Sequence, residues 1–153
     1  MRNLLNQVLF YEDEYYLFSN WSAHSIYYEG IEYKTVEHTY QCQKFSSETR
    51  QGRKLREQLI QQPSPAMAKQ FAYENIEYIL KNWEQVRVKI MFGIIRAKVH
   101  QHKDVSAALL KTGTSIIAED SPVDYFWGLG LDRSGKNMLG KIWMTVRSEL
   151  TPK

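Results

Sequence analysis

The stretch Trp83-Glu-Gln-Val-Arg-Val-Lys-Ile-Met-Phe-Gly-Ile-Ile-Arg-Ala-Lys-Val-His-Gln101 decides the fold. Val86, Ile90, Ile94 and Ala97 recur at spacings of four, four and three, the period of one helix face. Met91, Phe92, Ile95 and Val99 cover the other sides. A helix apolar nearly all round is a buried one, so this segment is expected to be the central helix of the core. Asn82, with Gln85 three residues on, opens it as a variant capping box.

Upstream, Ser64-Pro65 starts another helix, serine as cap and proline in the first turn, where its missing N–H costs nothing. A charged helix runs roughly from Glu48 to Gln61 and stops before Pro63. Thr35 is the N-cap of a helix from Val36 to about Phe45. Ile26-Tyr-Tyr28 and Ile31-Glu-Tyr33 flank Glu29-Gly30, a hairpin signal. Val8 to Tyr11 reads as a short strand, followed by an aromatic loop from Tyr15 to Trp21.

Downstream, Asp104 caps a short helix ending at Gly113, and Ser115 to Ala118 reads as a strand. Tyr125 to Asn137, with Gly128, Gly130 and Gly135, reads as a loop, and Met138 to Leu150 as a closing amphipathic helix. Strands and helices are segregated rather than alternating. The class is therefore α+β, a compact helix-dominated single domain over residues 1–153 with a small antiparallel β element.

The 153 residues carry 20 basic and 17 acidic side chains, net +3, too mild a balance to announce nucleic acid without a clustered patch. Arg50, Arg53, Lys54 and Arg56 form such a cluster, read either as a solvated helix face or as a phosphate-contacting surface. The single cysteine, Cys42, excludes an internal disulfide, which fits a reducing compartment. Ile90 to Ala97, the longest apolar run, is broken by Arg96 and is far too short for a membrane span. No secretory leader is read at the N-terminus, so a cytoplasmic, soluble protein is expected.

Three constellations could carry chemistry. Glu37, Gln41 and Lys44 share one stripe of the helix after Thr35, read either as an exposed face or as the wall of a pocket. Glu37 lies in the first turn, where the helix dipole favours a carboxylate that could stabilise a developing cation or activate water. Asp124, embedded with Tyr125, Phe126 and Trp127, sits either at a surface turn or against an aromatic cavity. With Glu37 it would give the two carboxylates that glycoside hydrolysis commonly uses. Gly130-Leu-Asp-Arg-Ser-Gly-Lys-Asn137 imitates a nucleotide-binding loop, but too little chain follows for the parallel sheet such a loop needs. It still offers an anion site of backbone N–H groups and Lys136 at a helix start. Trp83 is either core or a platform for a base, and His100-Gln-His102 lacks the companions of a metal site.

Taken together, Leu17-Phe-Ser-Asn-Trp21, Glu32 to Phe45, Lys81-Asn-Trp83, Arg96-Ala-Lys98, Phe126-Trp-Gly-Leu-Gly130 and Gly135-Lys-Asn-Met-Leu-Gly140 resemble the YbiA-like family, also called NADAR. The matches run in the family's order over about residues 10 to 150. The resemblance implies a compact, mostly helical domain that cleaves N-glycosidic bonds of ribose. The substrates it implies are ribosylamino-pyrimidine phosphates of early riboflavin synthesis, or ADP-ribose attached to guanine in nucleic acid; a non-catalytic NAD or ADP-ribose-binding module is the third reading, against which the intact Glu37 and Asp124 argue. The resemblance implies functional roles for Glu37, Trp83 and Asp124. In that reading Glu37 faces the sugar cation and orients water, and Asp124 serves the departing base. Trp83 stacks, with Trp127 beside it in the binding set. Asn20, Arg96, Lys136 and Asn137 hold hydroxyls and phosphate. Lys44 is also a catalytic candidate, since as a neutral amine it could attack an opened ribose. No cofactor, metal or membrane partner is expected.

Overall fold

The computed structural model describes residues 6–13 and 15–151. Two compact units are built from them. Asn20–Gln101 forms the middle unit, and the described residues before and after it form the terminal unit.

The middle unit opens on a hairpin of β2, Ile26–Tyr28, and β3, Ile31–Tyr33, with Ile26 opposite Tyr33 and Tyr28 opposite Ile31. Glu29 and Gly30 both hold positive φ, 49° and 83°, as a two-residue turn matching the strand twist requires. Next comes α1, Val36–Cys42, where the Thr35 hydroxyl accepts the His38 N–H. α2, Arg50–Ile60, starts later than the sequence suggests, because Thr49 supplies the cap to the Gly52 N–H. α3, Pro65–Glu74, is capped by Ser64 as expected. α4, Trp83–Gln101, has the predicted bounds.

The burial of two helices departs from expectation. All seven residues of α1 are buried, polar ones included, so its Glu37 stripe is not an exposed face. α1 packs against α2, α3 and α4, which leaves it no solvent side. In α4 only Trp83, Met91, Ile94, Ile95, Lys98 and Val99 are buried, while Val86, Ile90 and Ala97 are half-buried. The buried seam is thus rotated from the face that the sequence picks out, and it includes a lysine. The Lys98 ammonium donates to the Ser22 hydroxyl at 2.7 Å. The unit's hydrophobic cluster lies elsewhere, in Tyr33, Cys42, Phe45, Leu55, Leu59, Ala68 and Ala72. Each fully buried leucine or phenylalanine there contributes about 1.5–3 kcal/mol by area removed from water.

His38 ties α1 to the chain beyond α2. One ring nitrogen lies 2.9 Å from the Gln62 carbonyl and the other 2.8 Å from the Thr35 hydroxyl. A carbonyl only accepts, so Nε2 carries the proton and Nδ1 accepts from Thr35, which is the neutral tautomer. Burial holds the His38 pKa below its ordinary value of 6.5. A base depressed in the folded state binds more protons when unfolded, so its stabilising share is intact above pH 6.5 and declines as pH falls below it. Thermal melting is expected to drop between pH 7 and 5, with a shallower drop in His38→Gln. Equal slopes in the two proteins would remove His38 as the cause.

In the terminal unit β1, Gln7–Phe10, pairs in parallel with β4, Ile116–Glu119, from Gln7 opposite Ile116 to Phe10 opposite Glu119. This pair is additional to the expected antiparallel element and was not anticipated, because parallel partners need a long crossover and carry no turn signal. α5, Lys103–Lys111, has His102 at its cap, and Asp104 sits in its first turn instead. α6, Met138–Leu150, packs on β4. Trp143 on α6 is fully buried, 4.8 Å from the Phe18 ring, and its indole N–H donates to the Phe18 carbonyl. Among the described residues no helix is long and apolar enough to cross a membrane.

Candidate active site

Five of the candidate residues, Asn20, Glu37, Lys44, Trp83 and Arg96, fall in the middle unit, and Asp124, Trp127, Lys136 and Asn137 in the terminal unit.

In the middle unit the first turn of α1 holds Glu37, only 7% exposed. Its backbone N–H bonds the Asn20 carbonyl at 3.0 Å, and its Oε1 accepts from Gln41 Nε2 at 2.7 Å. The amide bond aims the carboxylate along the helix. Asn20 donates weakly to the Met91 sulfur at 3.8 Å. The side-chain oxygens of Asn20 and Gln41 are both buried without a hydrogen-bond partner among the described residues. Buried acceptors are nearly always satisfied by protein, water or ligand, and both of these oxygens belong to residues hydrogen-bonded to Glu37.

Lys44 lies past the helix, which ends at Cys42 rather than near Phe45, so it joins Glu37 from the following turn and not from the helix stripe. Its Nζ lies 5.4 Å from the Tyr40 ring centre and 6.0 Å from that of Trp83, the two rings being 5.2 Å apart and tilted by 55°. Trp83 is 6% exposed, a core position, and its ring lies beside the lysine. Burial holds the Lys44 pKa below its ordinary value; Glu37 opposes this, and the Lys69 and Arg87 cations reinforce it. Arg87 is paired with Glu84 at 2.9 Å. Glu37, Lys44 and Trp83 are thus brought into one neighbourhood, to which Tyr40, Gln41, Lys69 and Arg87 are additions. Arg96 is exposed on α4, its guanidinium stacked over Phe92 at 4.3 Å. Cys42 offers no nucleophile, since burial pushes its thiol up and its sulfur accepts from the Tyr33 hydroxyl.

In the terminal unit Asp124 is half-buried at a tight turn. Its Oδ1 accepts the N–H groups of Phe126 and Trp127, at 2.9 and 2.7 Å, while its own N–H bonds the Ser121 hydroxyl. One carboxyl oxygen is therefore spent on the turn. Phe126 and Trp127 meet edge to face, 4.8 Å apart.

The glycine loop does not offer the expected anion site. The N–H groups of Gly135, Lys136, Asn137, Met138 and Leu139 donate to the carbonyls of Leu129, Tyr125, Gly128, Phe126 and Trp127. The loop folds back on the preceding segment and consumes the donors an anion would use. Gly135 is required there, since a Cβ would strike the Gly128 and Leu129 carbonyls. Asn137 is spent too: at φ 51°, its side chain accepts the Glu119 N–H and donates to the Ile117 carbonyl, pinning β4 to the start of α6. What survives of the anion reading is side-chain charge. Exposed Lys136 lines a cleft of about 540 Å³ together with Arg133 and Lys141, over Ala118 and Met144.

The two parts of Asp124 can be separated by substitution. Asp124→Asn keeps an oxygen for the two N–H groups and is expected to melt near wild type while losing turnover. Asp124→Ala orphans both donors and is expected to cost about 1–3 kcal/mol of stability as well. Unfolding in urea with parallel rate measurement checks this, and full activity in Asp124→Asn would confine the residue to the turn.

Comparison with known proteins places this geometry among relatives. The family model described as the NADAR domain matches residues 9–151. The chain is 36% identical over 138 residues to the N-glycosidase YbiA of Escherichia coli strain K12, covering 90% of this chain and 83% of that protein. It is 35% identical to an N-glycosidase of Nostoc punctiforme, with 89% and 86% covered. A riboflavin biosynthesis protein of Vibrio vulnificus is 36% identical across 97% of this chain, which spans 40% of that longer protein. The NMR structure of Escherichia coli YbiA superposes with a TM-score of 0.84 at 35% identity, over 95% of this chain and 84% of the other.

Proposed function

Because the chain belongs to the NADAR family, we propose that it is an N-glycosidase hydrolysing the bond between a phosphorylated ribose and a nitrogen base, the whole chain acting as one catalytic domain. The observation that carries this is a buried carboxylate, Glu37, held by Gln41 and acting on a nearby lysine set against Trp83 and Tyr40. As the C1–N bond stretches, positive charge grows on C1 and the ring oxygen, and a preorganised anion lowers that barrier. Asp124 hands a proton to the departing nitrogen, or holds it by hydrogen bond. Asn20 accepts from a ribose hydroxyl through its orphaned oxygen. Lys136, with Arg133 and Lys141, contacts the phosphate.

Two routes complete the hydrolysis. Water can attack C1 directly. Alternatively, neutral Lys44 adds to C1 as the C1–N bond breaks and the base leaves with a proton; the ring then opens, its oxygen taking a proton from Nζ, to give an imine of Lys44, and water releases the sugar and restores the amine. The surroundings of Lys44 favour the second, because desolvation and neighbouring cations activate a lysine as nucleophile.

The relatives named N-glycosidase and riboflavin biosynthesis protein support a ribosylamino-pyrimidine phosphate as the substrate. ADP-ribose on guanine in DNA or RNA presents the same linkage and is the second arm of the assay. Incubation with each substrate, followed by chromatography of the freed base, tests the proposal. Release of base from neither would refute it. Lys136→Ala is expected to weaken ribose 5-phosphate binding while leaving binding of free ribose unchanged, a loss of about 1.5–3 kcal/mol for a charge-assisted contact. Equal losses for both ligands in calorimetry would take Lys136 out of phosphate recognition.

A further inference from the structure

The buried amide of Gln41 is bonded at one end only. Its Nε2 donates to Glu37 Oε1 at 2.7 Å, and its Oε1 is buried with no hydrogen-bond partner among the described residues. The orientation of the amide is fixed by chemistry. A carboxylate oxygen only accepts, so the NH₂ end must face Glu37 and the carbonyl end must be the orphan. The residue is 3% exposed, so bulk water does not satisfy that oxygen. It sits on the same stripe of α1 as Glu37, four residues before it, and Lys44 follows three residues after it.

We propose that Gln41 is a positioning and specificity residue: its amide nitrogen aims Glu37, and its amide oxygen accepts the hydroxyl on carbon 2 of the sugar. This rests on the reading that Glu37 faces C1. The hydroxyl next to C1 is the ligand donor nearest a group already bonded to Glu37. An acceptor for that hydroxyl also contributes more as the cation develops, because bonds to the 2-hydroxyl strengthen toward an oxocarbenium. The ligand class that follows is ribosyl rather than 2-deoxyribosyl. Asn20, whose own oxygen is the second buried orphan, takes another hydroxyl of the same ring.

Calorimetry with ribose 5-phosphate and 2-deoxyribose 5-phosphate tests the sugar end. The wild-type protein should prefer the ribo sugar about tenfold, the scale of one net hydrogen bond. Gln41→Leu should bind the two within about twofold of each other. Gln41→Glu keeps an acceptor for the sugar but sets two carboxyl groups together, which raises the pKa of one. Its kcat profile on the ribosylamino-pyrimidine phosphate should therefore move its acid limb to higher pH, a displacement that a merely structural role would not produce. Circular dichroism checks each variant, and should Gln41→Leu fail to fold, the pH profile of Gln41→Glu decides. Equal wild-type binding of the two sugars overturns the proposal. So does failure to bind either at millimolar concentration, a preference that survives Gln41→Leu, or an unmoved acid limb in Gln41→Glu. Were Glu37→Gln to keep full turnover while the ribose preference still depended on Gln41, the catalytic reading would fall and the sugar contact would stand.

Discussion

Glu37→Gln is expected to lower kcat by at least about 10²–10³-fold, the usual effect of removing one preorganised electrostatic contact from a developing charge. The substitution is close to isosteric, and the new amide's oxygen can still accept from Gln41. The backbone bond from residue 37 to the Asn20 carbonyl is untouched. What disappears is the negative charge in a site only 7% exposed, where water cannot replace it. Ground-state binding should change little, because the substrate carries no cation at C1 until the bond stretches. The measurement is single-turnover release of base, with ligand affinity and melting temperature as controls. A rate within a few-fold of wild type would remove Glu37 from the chemistry. A collapse of melting temperature would show that the carboxylate is a packing group.

Glu37 could be singled out from sequence because its signal is local: a cap at Thr35 puts an acid in the first turn, whatever the rest of the chain does. The same holds for the Glu29-Gly30 turn, the Ser64 cap and the bounds of α4 and α6, each written in a few adjacent residues. Where the reading failed, the deciding partner was distant in the chain. The burial of α1 depends on three other helices packed against it, and nothing in its own polar stripe announces them. The β1–β4 pair joins residues more than a hundred positions apart. The glycine loop looked like an anion site because free N–H groups are the default at a helix start. The carbonyls that occupy them belong to Tyr125–Leu129, which reads only as loop. Tyr40 fell on another stripe by periodicity, yet its ring reaches Lys44 and Trp83, since side-chain length is invisible to a period of 3.6. Gln41 was on the right stripe, but its value lies in an unsatisfied oxygen, which exists only once the chain is folded.

Lys44→Arg is expected to reduce turnover by two or more orders of magnitude, comparable with Glu37→Gln, because an arginine keeps the charge and loses the nucleophile. Guanidinium stays protonated at any working pH, so it can hold a phosphate or a hydroxyl but cannot form an imine. The lysine, by contrast, is pulled toward its neutral form by burial and by Lys69 and Arg87, against the attraction of Glu37. It lies seven residues after Glu37, in the turn beyond α1, close enough for that carboxylate to act on its charge, so the two side chains can flank one sugar. Borohydride reduction during turnover should trap the imine and add the mass of the sugar portion to Lys44. The adduct should appear in wild type, be absent from Lys44→Arg, and increase as pH is raised toward the lysine's depressed pKa. Peptide mass mapping locates it. Without an adduct, and with substantial activity in Lys44→Arg, the lysine would be a binding cation only and water would attack C1 directly. In that outcome Glu37 keeps its place opposite the developing charge, and Lys44→Ala should then raise KM more than it lowers kcat.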